Sequence, residues 1–216
     1  MNVVYQVLSA VLPFECFQMT FMKNALLAML LLTPLLALLG TMAVNRRMAF
    51  FSDALGHSAL AGVGLGLLLG VQSELVSMLI FGVAWALMIS RINRSGGASA
   101  DTIISVFSST GIAVGLLILS RNGSFSKYSA LLAGDVLAVA PEDLKWLALA
   151  LPLGAACWAL MYNSLLLTAV NPALAQSRGV AAKWVEYALV SLVAVAVMLS
   201  IRWVGVLLMN ALLSLP

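Results

Sequence analysis

Asp53 and His57 are the two residues of this chain whose types and spacing point most directly to chemistry. His57 is the only histidine and follows Asp53 by four residues, so a helix would place both side chains on one face. A carboxylate and an imidazole together suit a borderline divalent metal such as Zn²⁺. The simpler alternative is structural: Asp53 or its neighbour Ser52 caps the helix, and His57 hydrogen-bonds a nearby carbonyl group.

The surroundings of this pair are those of a membrane protein. Of the 216 residues, 63% are apolar and 9% are charged, whereas soluble domains carry about 45–50% apolar and about 25% charged residues. This composition excludes a soluble enzyme, a disordered chain and a protein that binds nucleic acid. The lipid membrane is therefore an expected partner of the chain. Because charged groups at membrane depth are costly and usually line a pathway or a site, Asp53 and His57 form a candidate metal site.

The apolar runs predict an all-α fold, a polytopic transmembrane helix bundle that forms a single domain over residues 1–216. Within residues 1–22, Pro13, Glu15 and Gln18 favour an interfacial or half-inserted helix over a full span. The last run, Trp203–Pro216, has 14 residues, fewer than the roughly 20 that a span needs, so we expect a C-terminally truncated chain. About seven spans are predicted, in the runs Asn24–Asn45, Ala54–Val71, Leu75–Ser90, Thr102–Ser120, Trp146–Val170 and Tyr187–Ile201 and in the last run.

The short connections between these runs alternate in charge. Three of them carry basic residues, and the connection at Gln72–Glu74 carries none. The positive-inside rule therefore places the basic connections in the cytoplasm. They contain Arg46 and Arg47, Arg91 and Arg94, and Arg178 and Lys183.

Small and polar residues within the spans predict close helix packing. A stripe of small residues recurs at every fourth position from Ala54 to Gly70, which allows a neighbouring backbone to approach closely. The hydroxyl groups of Ser108, Ser109 and Thr110 are expected to hydrogen-bond between helices rather than to act as nucleophiles. The stripe consists of Ala54, Ser58, Gly62, Gly66 and Gly70.

A short helix is predicted between the fifth and sixth apolar runs. Asn171 is a suitable N-cap, Pro172 suits the first helical position, and Gly179 suits the position past the end. Such a helix is too short to span a membrane, and on the cytoplasmic side it would either dock on a soluble partner or serve as a simple connector. The segment consists of Asn171, Pro172, Ala173, Leu174, Ala175, Gln176, Ser177, Arg178 and Gly179.

Four signatures, in order along the chain, resemble the membrane-spanning permease subunits of bacterial ABC importers for zinc, manganese and iron. The first is Asp53–Gly62, which includes Asp-Ala-Leu-Gly-His-Ser, and the third is Asn171–Val180. The second is Gly134–Leu144, and the last is Val204–Leu208 followed by Ala211–Leu213. The likeness extends from about Lys23 to Pro216.

The resemblance implies a transport subunit of the bacterial plasma membrane that is not itself an enzyme. In that family the aspartate and histidine of the first signature belong to the metal path, which carries over to Asp53 and His57. The segment Asn171–Gly179 matches the helix that couples the permease to its ATP-binding subunit. Further implied partners are an extracytoplasmic metal-binding protein and a second permease copy. No cofactor is implied to be bound permanently, and the second signature is most similar to zinc-type members, with manganese and iron(II) as alternatives.

Other function classes fit the residues less well. No Gly-Lys-Ser or Gly-Lys-Thr occurs in the chain, so the sequence lacks a P-loop for ATP. A carrier that moves ions without ATP would favour intramembrane charges in several spans or inverted repeats. An intramembrane hydrolase would need a nucleophile near Asp53 and His57, and a purely structural subunit would explain the small-residue stripe but not this pair.

Overall fold

The computed structural model of the protein describes residues 19–46, 48, 50–123, 125–128, 134, 139 and 141–214. Within these residues the chain forms helices and no strand, which confirms the predicted all-α membrane fold. The predicted helix over residues 1–22 lies almost entirely outside the described residues. The helices are α1 (Thr20–Asn45), α2 (Phe51–Leu68), α3 (Glu74–Asn93), α4 (Ala100–Arg121), α5 (Phe125–Tyr128), α6 (Pro141–Val170), α7 (Pro172–Ser177) and α8 (Ala182–Ser214).

Five of the described helices are long and apolar enough to cross a membrane, against about seven predicted spans. Part of the difference lies in α8, which joins the predicted sixth and seventh runs. Arg202 was expected to separate these runs, but it lies inside the helix with its side chain exposed. The helical conformation is interrupted only at Gly205, whose φ of 76° and ψ of 166° leave the helical region. The five helices are α1, α3, α4, Leu144–Val170 of α6 and Ala182–Val206 of α8.

The remaining bundle helix, α2, has 18 residues and lies in the interior. It packs against α3, α4 and α8, and α8 in turn packs against α1, α3 and α6. The apolar segment of α8 is 72% buried, whereas that of α6 is only 17% buried. The core of the bundle is therefore built around α2 and α8, and α6 lies at its periphery.

Local signals explain where the helices begin. The Ser73 hydroxyl accepts a hydrogen bond from the Val76 amide at the start of α3, and Ser99 does the same for Thr102 at the start of α4. These side chains satisfy amide groups that have no partner inside the helix. Both helices therefore begin at serine N-caps.

The described connections gather at two opposite ends of the bundle. The predicted cytoplasmic connections meet at one end, where Arg94 forms a 2.7 Å ion pair with Glu186 and Arg46 donates to the carbonyl group of Leu165. At the other end, Lys127 lies 3.1 Å from the carboxylate of Glu74. We refer to the first as the basic end, and the positive-inside rule assigns it to the cytoplasm.

Candidate metal site and docking helix

Asp53 and His57 lie next to each other in the first turns of α2. The Nε2 atom of His57 is 3.2 Å from Oδ1 of Asp53, as the four-residue spacing predicts. The N-cap of α2 is Phe50, and no side chain makes a capping hydrogen bond there. The alternative in which Asp53 or Ser52 caps the helix is therefore not what the structure shows.

A neighbouring helix holds the other oxygen of the carboxylate. The hydroxyl group of Ser108, in α4, donates to Oδ2 of Asp53 at 3.2 Å. Of the three hydroxyl groups predicted to bond between helices, only that of Ser108 does so among the described residues. Ser109 and Thr110 donate to carbonyl groups of their own helix, at 3.0 and 2.7 Å. Ser108 thus belongs to the site, and the sequence identified it only as one of three equivalent hydroxyl groups.

The histidine ring retains one unpaired nitrogen. Nδ1 of His57 is buried and has no hydrogen-bond partner among the described residues. Buried polar atoms are nearly always paired, so an unpaired ring nitrogen calls for an explanation such as a ligand. Imidazole nitrogen is a common metal ligand in its neutral form. Nδ1 itself is buried, so only the exposed parts of the Asp53 carboxylate and the His57 ring are open to a cation from outside the chain.

The site lies in the first turns of α2, and its side chains are partly exposed. Ser108 is eight residues after Ala100 in α4, which corresponds to about 12 Å along the helix. The side chains of Asp53 and His57 are 38% and 22% exposed, although Ser52 and Ala54 next to them are buried. In the described part of the chain, no third His, Cys, Asp or Glu side chain joins this pair in a group that could hold a metal ion.

The small-residue stripe accounts for the tight packing around this site. Side-chain atoms at Gly62 and Gly66 would collide with α3, because a Cβ atom at Gly66 would lie 2.2 Å from the Ser77 hydroxyl oxygen. That hydroxyl donates to the Gly62 carbonyl oxygen at 2.5 Å. Ser58 instead faces Gly111 of α4. Ala54 is fully buried, whereas Gly70 lies beyond the end of α2 with no atom within 4 Å of a built Cβ, so the packed part of the stripe ends at Gly66.

The short segment after α6 folds as its residues predict. Asn171 is the N-cap of α7, and its side chain accepts a hydrogen bond from the Leu174 amide at 3.1 Å. Pro172 begins the helix, and Gly179 past its end has a φ of 76°. Ala175 is buried against the bundle, whereas Leu174 is exposed. The segment is thus a rigid, capped helix at the basic end with an apolar side chain facing outwards.

Comparisons with known proteins agree with this architecture. The zinc uptake membrane protein ZnuB of Haemophilus influenzae is 31% identical over 194 residues, which cover 89% of this chain and 74% of that protein. The manganese import permease ScaB of Streptococcus parasanguinis is 29% identical over 202 residues, which cover 92% and 71%. In fold, the chain is similar to PsaBC from Streptococcus pneumoniae, solved with a Fab, with a TM-score of 0.77 and 23% identity over 99% of this chain and 74% of that one.

A family assignment follows from the extent of the match. Residues 18–216, which include all four signatures, match the ABC 3 transport family. Five of the described helices are able to cross a membrane, and the relatives named above are bacterial membrane proteins. The protein is therefore a multi-pass component of the bacterial plasma membrane. This chain is a permease subunit of the ABC 3 transport family.

Proposed function

We propose that the chain is the membrane-spanning subunit of an ATP-driven importer of divalent metal ions, with zinc as the preferred ion. The observation that carries this proposal is the Asp53–His57 pair, a carboxylate and an imidazole in contact within the helix bundle, both partly exposed. Charged and polar groups within membrane-spanning bundles rarely face lipid. Their open side therefore faces a permeation path, and the transported ion is the substrate that this path receives.

A second copy of the chain completes the site in this proposal. Zn²⁺ favours four ligands in tetrahedral geometry, drawn from histidine, cysteine and carboxylate groups. Two copies related by a two-fold axis would present two Asp53 and two His57 side chains. The same contact would cover the polar side chains that a single copy exposes. The transported metal is then held at the boundary between the copies, where a relative motion of the two can release it.

Zinc is proposed over manganese and iron(II) on the chemistry of the ligands. Two imidazole and two carboxylate groups suit zinc, whereas Mn²⁺ is better suited by sites built from carboxylate, carbonyl and water oxygens. The relatives include both a zinc uptake protein and manganese permeases, so similarity alone supports either metal. The resemblance of Gly134–Leu144 to zinc-type members adds to the choice of zinc, and five of the 11 residues of that segment lie outside the described residues.

The energy source is proposed to be a separate ATP-binding subunit that docks on α7. This helix is held at both ends by its caps and exposes Leu174 at the basic end. An extracytoplasmic metal-binding protein would deliver the ion at the opposite end. The alternative is an ion carrier that works without ATP, and it predicts uptake that continues when no ATP is hydrolysed.

The experiment is metal uptake by the assembled complex in lipid vesicles, with Asp53→Asn as the test variant. Asparagine keeps the size of the side chain and can still accept the Ser108 hydrogen bond, so the bundle should stay intact. Loss of the charge should abolish most zinc uptake while assembly with the ATP-binding subunit continues. Asp101→Asn, at an exposed position in the first turn of α4, is the matched control and should transport normally. Uptake at the wild-type level by Asp53→Asn would remove this carboxylate from the path.

A further inference from the structure

A second polar cluster, formed by residues other than the predicted metal ligands, lies at the basic end. Both oxygens of the Glu186 carboxylate are engaged there. Oε1 accepts from the buried Ser90 hydroxyl at 2.8 Å, and Oε2 accepts from Arg94 at 2.7 Å. The Glu186 side chain is only 15% exposed. The first turns of α8 are thus joined to the end of α3 by a charged pair in which Glu186 is largely buried and Arg94 is partly exposed.

Arg46 makes a comparable connection between α1 and α6. Its guanidinium group donates to the Thr168 hydroxyl and, at 3.3 Å, to the Leu165 carbonyl oxygen. Its Nε atom is buried and has no partner among the described residues. Arg46 and Glu186 line the same cavity of about 310 Å³. We call Arg46, Ser90, Arg94, Thr168 and Glu186 the basic-end cluster.

The position of this cluster in the chain links it to both functional elements. Thr168 precedes the Asn171 cap of α7 by three residues, and Glu186 follows Gly179 by seven. Both ends of the proposed docking helix therefore lead directly into the cluster. On the other side, Arg46 is the C-cap of α1, and Asp53 follows it by seven residues.

The connection between Arg46 and Asp53 is short, and two of its described residues are held in the core. Met48 is 4% exposed and Phe51 is 1% exposed. The Phe51 amide donates to the Met48 carbonyl oxygen at 3.0 Å, and the Asp53 amide donates to that of Phe50 at 3.1 Å. Through these residues, a displacement of Arg46 would displace the first turn of α2. Packed interiors transmit movement in this way because they deform little.

We propose that Arg46 and Glu186 are positioning residues that transmit movement of α7 to the helix that bears Asp53 and His57. Movement at the start of α7 reaches α2 through α6, Arg46 and the turn after it. Movement at its end reaches α2 through Glu186 and α3, which packs against Gly62 and Gly66. This inference rests on the proposed function, because it takes α7 as the docking helix and α2 as the metal-bearing one.

Glu186→Gln is the test variant, because glutamine keeps the side-chain size but loses the charge that holds Arg94. The assembled complex in lipid vesicles is assayed for zinc binding without ATP, for ATP hydrolysis and for zinc uptake. We expect unchanged zinc binding and a fall in the zinc taken up per ATP hydrolysed, on the order of 2- to 30-fold, the range found for substitutions that alter coupling between sites. Glu186→Asp, which retains the carboxylate, should recover most of the ratio.

Glu74→Gln is the matched control, because it removes a carboxylate from an ion pair at the opposite end of the bundle. A purely structural role for Glu186 predicts that both variants lower thermal stability and that neither changes the ratio of uptake to hydrolysis. A wild-type ratio in Glu186→Gln, or an equal fall in Glu74→Gln, would overturn the inference. If wild-type complex binds no zinc or fails to associate with the ATP-binding subunit, the proposed function itself is wrong.

If Glu186→Gln does not assemble, a measurement on the wild-type chain tests whether movement of α7 reaches α2. Hydrogen exchange of the permease is compared with and without the ATP-binding subunit. Protection should change at residues 46–53 and 90–94 and remain the same at 121–123, which lie at the opposite end. Unchanged exchange at residues 46–53 on docking would overturn the inference without any substitution.

Discussion

Gly115 provides a sharp test of how closely α2 and α4 must pack to support the site. In Gly115→Ala the new Cβ atom would lie 2.8 Å from the Ala61 amide nitrogen and 2.9 Å from the Leu60 carbonyl carbon. Both are backbone atoms and cannot rotate away. Because non-bonded carbon atoms are optimally about 3.5–4.0 Å apart, the two helices must separate by roughly 0.6 Å or more.

The cost of this separation can be set against the gain in helix propensity. Overpacking of a well-packed interior costs about 1–3 kcal/mol. Replacing a helical glycine by alanine returns about 1 kcal/mol. We therefore expect a net loss of about 1 kcal/mol in the free energy of unfolding, or roughly 2–4 °C in melting temperature for a chain of this size. Gly115→Val lacks most of the gain in helix propensity, so its free energy of unfolding should fall by more.

The same separation should weaken metal binding, because it draws Ser108 away from Asp53. Their hydrogen bond is already 3.2 Å long, and a further 0.6 Å would break it. Thermal unfolding in detergent and zinc binding to the assembled complex are measured for each variant. Gly111→Ala, with its closest approach at 3.2 Å, should be nearly neutral, and Gly97→Ala, with no atom within 4 Å, should behave as wild type. Equal stability and zinc affinity in Gly115→Ala and Gly97→Ala would refute the reasoning.

Two further substitutions test other parts of the structure. Asn171→Ala removes the cap of α7 at a cost of about 1 kcal/mol to that helix. Less ATP-binding subunit should therefore co-purify, while zinc binding is retained. Undiminished co-purification would argue against docking at α7. Gly205→Ala forces a residue with a Cβ atom into a backbone conformation that is nearly exclusive to glycine, at a cost of about 1–3 kcal/mol. Its melting temperature should fall below that of Gly97→Ala, and an unchanged melting temperature would mean that the break in α8 relaxes without cost.

Residue types and local spacing were sufficient to predict several parts of this structure. The four-residue interval between Asp53 and His57 places them in contact because it is set by helix geometry alone. The caps of α7 are equally local, since Asn171 bonds an amide three residues away and Gly179 adopts a positive φ by itself. The membrane fold follows from composition, because the bilayer requires long apolar helices.

Contacts between distant parts of the chain were not predictable in the same way. Ser108, Ser109 and Thr110 are chemically similar, and only the rotation of α4 about its axis decides which of them reaches Asp53. The partner of Glu186 is 92 residues away in Arg94, a distance over which spacing carries no information. The predicted sixth run ends at Ile201, just before Arg202, yet a long cationic side chain can extend from within a helix to a polar region.

The buried position of α2 has a consequence for how the protein is made. This helix has the length of a span but is absent from the five described helices that are apolar enough to cross a membrane. Thirteen of its 18 residues are buried against other helices, so the helix is surrounded mainly by protein rather than by lipid. During synthesis α2 should therefore enter the bilayer as a hairpin with the more apolar α1 or α3. Its Asp53 carboxylate gains the Ser108 hydroxyl only after α4 has followed, so the helix with the proposed metal ligands is inserted before that site can be assembled.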